Sequence, residues 1–234
     1  MTFCIGIKSK TGVIALSDTR ISSGLGISTS KKVLTYQDGR NSFFVMSSGL
    51  RSIRDKVKNF FEDKLDHQYP DKLYKAADLL GETVKKVRHQ DLKDLTASNF
   101  MFDAHFIVGG QCENDKKASL FLILPEGNWV EVSDESPYVI IGNTGFGKPI
   151  LRRLLHEEIT FDMAIKVAYL SFDATYKNAS DVDFPVDFIL YKNGSKELME
   201  FRKTEQELKD TSTEWNQKLV DAANALPPFI HFED

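Results

Sequence analysis

Two long helical patterns stand back to back near the middle of this chain, with strand-like runs before and after them, and that order limits the fold more than any composition does. Ile53, Val57, Phe60, Phe61 and Leu65 recur at helical spacing, as do Leu73, Ala76, Ala77, Leu80, Val84 and Val87. An apolar run follows Thr2 at the start of the chain. Beyond the helices, Ala104 to Val108, Ala118 to Leu124, Asn128 to Val132 and Tyr138 to Ile141 read as strands, with turn chemistry at Pro125-Glu-Gly-Asn. Helical stretches return around Ile150 to Leu155 and Phe161 to Tyr176. Val186 to Tyr191 and Lys196 to Phe201 then predict a hairpin across Lys192-Asn-Gly-Ser. Strands, a helix pair, strands and a helix pair do not make alternating βαβ units. They fit an α+β fold, a four-layer αββα sandwich of two antiparallel sheets flanked by helices.

No repeat, low-complexity tract or Pro/Gly linker divides the 234 residues, so a single domain over 1–234 is expected. A C-terminal helix is expected over about 204–226. It opens on the capping-box spacing of Thr204-Glu-Gln-Glu207, and Leu208, Trp215, Leu219, Ala222 and Leu226 can share one face. That face closes either its own subunit's core or a contact with a neighbouring subunit.

A formal net charge of −4, with no basic stripe interleaved with aromatics, argues against nucleic acid as a partner. No apolar run approaches the ~20 residues that span a bilayer, and no signal-like segment opens the chain. No membrane association and a cytoplasmic location are expected. Cys4 and Cys112 lie far apart without Cys-x-x-Cys spacing, which suggests buried small apolar residues rather than a disulfide or a metal site.

Thr2 carries the chemistry. With Met1 trimmed it becomes an N-terminal threonine, whose hydroxyl can act as nucleophile while its own α-amine accepts the proton. The ordinary α-amine pKa of about 7.7 to 8.0 lies near working pH. Following it come Gly12-Val-Ile-Ala-Leu-Ser-Asp18-Thr-Arg20, a small-residue loop from Ser22 to Ser30, then Lys31-Lys32-Val33. This segment resembles the N-terminal part of proteasome β-type subunits, which runs strand, tight turn, strand ending in Asp-x-Arg, loop, and Lys-Lys before an apolar residue. Phe43 to Gly49 resembles that family's third strand and its small-residue turn. Ile140-Ile-Gly-Asn-Thr-Gly-Phe-Gly-Lys-Pro-Ile-Leu151 and Ser171-Phe-Asp-Ala-Thr-Tyr176 look most like its bacterial Anbu (ancestral β-subunit) branch. The likeness runs to about Tyr191.

The resemblance implies an N-terminal-nucleophile hydrolase with Thr2, Asp18 and Lys32 as its catalytic set. Lys32 would lower the pKa of the nucleophile and stabilise developing charge, and Asp18 would orient Lys32. The backbone N–H of Ser48 would serve the oxyanion hole. Support around the terminal amine falls on Thr144, Asn178 and Ser180. Asn178 stands where relatives carry Asp, and the segment has about one extra residue, so Asp181 is a substitute for that charge. For all of these the plain alternative is turn residues and a surface ion pair.

Two competing motifs fail on chemistry. Gly142-Asn-Thr-Gly-Phe-Gly147-Lys148 meets part of a phosphate-binding loop, but Pro149 brings neither a hydroxyl for Mg²⁺ nor an N–H for phosphate. No Gly-x-Ser-x-Gly elbow is present, and the five histidines are scattered. Asp103 and His105 can share a strand face, and a structural histidine is the simpler reading there. The expectation is a threonine-type peptidase acting on peptide or unfolded-protein substrates. It needs no cofactor or metal, assembles from identical subunits as a ring or open spiral, and leaves any unfoldase partner open. The alternatives are a proteasome-like scaffold with weak or lost activity, or an amidase for a non-peptide substrate.

Overall fold

A computed structural model describes residues 2–23 and 26–228. The chain opens with β1 (Phe3–Ser9) and β2 (Gly12–Asp18), then a short hairpin of β3 (Arg20–Ser23) and β4 (Gly26–Thr29). β5 (Val33–Gln37) and β6 (Ser42–Gly49) lead into α1 (Arg51–His67) and α2 (Leu73–Ala97). Four strands follow: β7 (Ala104–Gln111), β8 (Ser119–Ile123), β9 (Trp129–Glu131) and β10 (Tyr138–Gly142). The remainder is α3 (Lys148–Leu154), α4 (Phe161–Tyr176), β11 (Val186–Lys192), β12 (Met199–Lys203) and α5 (Glu205–Asn224).

These strands form two five-stranded sheets, ordered β10-β1-β2-β11-β12 and β5-β6-β7-β8-β9, and every pairing in them is antiparallel. Strand alternation sends side chains to three separate cores. Phe43 and Val45 of β6 join Phe106 and Val108 beneath α1 and α2. Ile5, Ile7, Ile14 and Leu16 pack under α3 and α4. Their strand neighbours Cys4, Val13, Ala15, Phe44 and Met46 meet between the sheets. Both faces of β1 and β2 are therefore covered, which is why these strands read as nearly continuous apolar runs. The result is the αββα sandwich that the order of patterns predicted.

α1 buries one stripe, Ile53, Val57, Phe61 and Leu65, at intervals of four. In α2 the small residues Ala76, Ala77 and Gly81 allow close approach to the sheet. A Cβ on Gly81 would lie 2.3 Å from the carbonyl oxygen of Gly127 in the β8–β9 turn. α4 is capped by Thr160, whose hydroxyl accepts the Met163 N–H at 3.3 Å.

Two expectations need correction. The Ser22 to Ser30 segment is not a plain loop, because β3 and β4 pair from Arg20↔Thr29 to Ser23↔Gly26. The last hairpin does not turn tightly at Lys192 to Ser195, since its first pair is Leu190↔Met199. The intervening residues are tied to the other sheet instead: Gly194 N–H donates to Gln111 Oε1, Ser42 Oγ to the Lys196 carbonyl, and Leu198 N–H to Gln37 Oε1. α5 has the expected capping box, yet none of its residues is buried. Leu208 and Trp215 touch the α4 core, whereas Leu219, Val220 and Leu226 are exposed.

Candidate active site

The start of β1 is held from two sides. On one, the Asn143 N–H donates to the Thr2 carbonyl at 2.7 Å, next to the β1–β10 pair Phe3↔Gly142. Gly142 has φ +85, and a Cβ there would lie 1.8 Å from the Thr2 carbonyl oxygen. This glycine is required by close approach to Thr2, which gives the loop that imitates a phosphate cradle a different purpose. On the other side Asp18, at the end of β2, accepts the Phe3 N–H on Oδ1 at 2.9 Å.

The same Oδ1 accepts Lys32 Nζ at 2.6 Å, and Oδ2 accepts the Arg20 N–H at 3.2 Å. Asp18 is fully buried and Lys32 only 3% exposed. Burial raises the Asp18 carboxyl above its ordinary pKa, against the opposing pull of Lys32 and the two backbone amides. Beside them, Cys4 donates its thiol to the Ser47 carbonyl at 3.8 Å, and burial pushes that thiol far up despite the positive charge of Lys32. It is inert toward nucleophilic chemistry. By contrast Lys31 is exposed and pairs with Glu200 on the surface.

Thr2 lines a cleft of about 910 Å³, and Ser48, Gly49 and Thr144 line it too. Ser48 stands opposite His105 in the β6–β7 register, and Gly49 (φ +116) ends β6 where a Cβ would lie 2.0 Å from the Asp103 carbonyl oxygen. Neither Asn178 nor Ser180 reaches this cleft; both are exposed just beyond α4, and Asn178 Nδ2 donates back to the Ala174 carbonyl at 2.8 Å. Burial acts to raise the Asp181 carboxyl, yet it lies below its ordinary value, with Asn143 among the hydrogen-bond donors that lower it.

A family model described as proteasome subunit matches residues 2–187. The chain belongs to the proteasome subunit family. Among solved structures it is similar to Anbu (ancestral β-subunit) from Yersinia bercovieri, at 28% identity and TM-score 0.90, covering 99% of this chain and 100% of that one. An Anbu Gly-1 mutant from Hyphomicrobium sp. strain MC1 gives 27% identity and TM-score 0.91, with 99% and 100% covered. The helical assembly of the Anbu complex from Pseudomonas aeruginosa gives 27% identity and TM-score 0.89, with 97% and 98% covered. None of the curated proteins matches. As a family member, the chain has a proteasome-like N-terminal-nucleophile hydrolase scaffold throughout, with the Anbu structures as its likeness. Among the described residues no helix is long and apolar enough to cross a membrane.

Sequence reasoning missed the rest of the cleft wall. Arg20, Arg51 and Arg54 line it, as do Asp103 and His105, whose Oδ1 and Nδ1 are 3.0 Å apart. Arg20 is the third residue of the Asp-x-Arg triplet and pairs with Asp183 at 2.8 Å. A signal for Arg54 was present: it follows the Ser48–Gly49 turn by one and a half helical turns.

Proposed function

We propose that this family member is a threonine-type peptidase whose mature chain begins at Thr2. One observation carries the reading: a single buried carboxylate oxygen of Asp18 accepts both the amide next to Thr2 and the Lys32 ammonium, at 2.9 and 2.6 Å. That arrangement fixes a cation and the first strand residue relative to each other beside the cleft. Thr2 Oγ attacks the substrate carbonyl carbon and its α-amine takes the hydroxyl proton. The amine returns that proton to the leaving nitrogen, and water then hydrolyses the ester. The Ser48 N–H meets the oxyanion, and Lys32 stabilises charge developing at the nucleophile. Thr144, in the cleft lining, and Asp181, which Asn143 helps hold below its ordinary pKa, steady the amine and a water, while Asn178 turns its side chain back to the Ala174 carbonyl.

The substrate is a peptide or unfolded segment, and the working form is a complex of identical subunits; the helical assembly of the Pseudomonas aeruginosa Anbu complex supports the latter. The test is intact mass of protein from its native host, combined with a threonine-directed electrophile. Loss of one methionine and a single adduct on Thr2, absent in Thr2→Ala, is the expected result. Retained Met1 in fully active protein rules the mechanism out.

A further inference from the structure

We infer that the cleft beside Thr2 recognises an acidic side chain of the substrate, with Arg54 as the specificity-determining residue; this deepens the peptidase reading and rests on it for the site's role. Arg54 sits in the second turn of α1, and its side chain is 19% exposed at the cleft wall. Its charge reaches the centre of the site, since with Lys32 it opposes the rise of the Cys4 pKa, two residues from Thr2. The guanidinium is only partly used. Nε and Nη2 both donate to one oxygen, Oδ1 of Asp55, at 3.0 and 2.9 Å. Among the described residues no hydrogen bond uses Nη1, so the end-on edge of the fork is open to a second carboxylate.

The cleft lining carries three guanidiniums, of Arg20, Arg51 and Arg54, against the one carboxylate of Asp103. Arg51 donates to Asp55 as well, at 3.3 Å, so two guanidiniums share one carboxylate. Arg20 is matched by Asp183 at 2.8 Å, yet among the described residues its buried Nε has no acceptor. Asp103 stands apart from Arg54 in its contacts, with Oδ1 3.0 Å from His105 Nδ1. Lys32 and Asp18 offset one another beneath the floor. Leu50, Leu122 and Leu124 add an apolar wall against which the methylene stem of Glu can pack. A half-enclosed arginine recognises a carboxylate through two parallel charge-assisted hydrogen bonds, which a neutral amide of the same shape cannot form. Sites built to bond a charged group reject the isostere strongly.

Binding separates this inference from catalysis. In the full-length Thr2→Ala protein, titration calorimetry compares two blocked tripeptide amides that differ only in one side chain, Glu or Gln. The Glu peptide should bind at least tenfold tighter. Arg54→Gln should reduce the ratio to twofold or less, Arg54→Lys should keep part of it, and Arg51→Gln should change it less than Arg54→Gln does. Equal affinities, no binding of either peptide, or a preference that survives Arg54→Gln in a folded variant each overturn the inference. The peptidase reading has its own readout in Thr2 labelling. A Glu preference with no labelling removes the peptidase reading and leaves acid recognition standing.

Discussion

At the scale of single residues, the Asp18–Lys32 pair makes opposite demands on rate and stability. Lys32→Met keeps the buried stem and removes the charge, so turnover should fall by roughly 10² to 10⁴. Asp18 is then buried without its cation. Its carboxyl already lies above the ordinary value, and losing Lys32 raises it further. A carboxyl raised in the folded state gives stability below its unfolded pKa and loses it as pH rises through the folded value. The variant should therefore melt close to the parent at pH 4 to 5 and well below it at pH 8. A melting difference independent of pH would show that Asp18 is not held by Lys32. Lys31→Ala is the control and should alter neither, because Lys31 is a surface residue paired with Glu200. Gly142→Ala tests the other grip on Thr2: with φ +85 and a Cβ 1.8 Å from the Thr2 carbonyl oxygen, it must displace Thr2. Turnover should drop at least tenfold while far-ultraviolet circular dichroism stays unchanged, and undiminished turnover would detach Gly142 from the site. That Asp18 and Lys32 meet beside Thr2 was legible because Asp18 ends β2 while Thr2 and Lys32 stand directly before β1 and β5, whose registers leave little freedom. The placement of Asn178 and Ser180 outside the cleft lining was not legible, because spacing within a turn does not fix where its side chains point.

Among the elements, the helices and central strands were legible because each buries a continuous stripe or face, as α1 does with Ile53, Val57, Phe61 and Leu65. What sequence could not show was contact between backbones. The β11–β12 connection looked like a tight turn, yet Gln37, Ser42 and Gln111 of the other sheet hold it open. Gly81, within α2, meets the Gly127 carbonyl of the β8–β9 turn. Two effects compete in Gly81→Ala. Alanine gains up to about 1 kcal/mol of helix propensity, while a Cβ 2.3 Å from a backbone oxygen overpacks the α2 interface at a cost of about 1 to 3 kcal/mol. Overpacking should win, and the midpoint of thermal unfolding should fall. A rise in that midpoint would mean that α2 and the β8–β9 turn can separate without loss.

For the molecule as a whole, the apolar surface that remains points to more subunits than one. α5 is anchored through its first half, where Ser212 Oγ donates to Asp173 at 2.7 Å and Tyr169 OH to the Leu208 carbonyl at 3.1 Å. Its second half leaves Leu219 and Val220 about half exposed, Leu226 just beyond it is exposed as well, and Phe100 and Met101 are exposed at the cleft. The sequence offered two covers for the apolar face of α5. Its own core covers only Leu208 and Trp215, and burying the rest against a neighbour would contribute roughly 25 cal/mol per Å² of apolar area. Light scattering at micromolar concentration should therefore show species well above the 26.5 kDa of one chain. Leu219→Ser combined with Leu226→Ser should shift that distribution toward the single chain without lowering the melting temperature of the monomer, because neither side chain is buried in it. A lone 26.5 kDa species at every concentration would remove the assembly, and with it the reason to expect Thr2 to work inside an enclosed chamber. An unchanged assembly in the double variant would move the interface elsewhere, and α5 would then be a helix held by its own subunit alone.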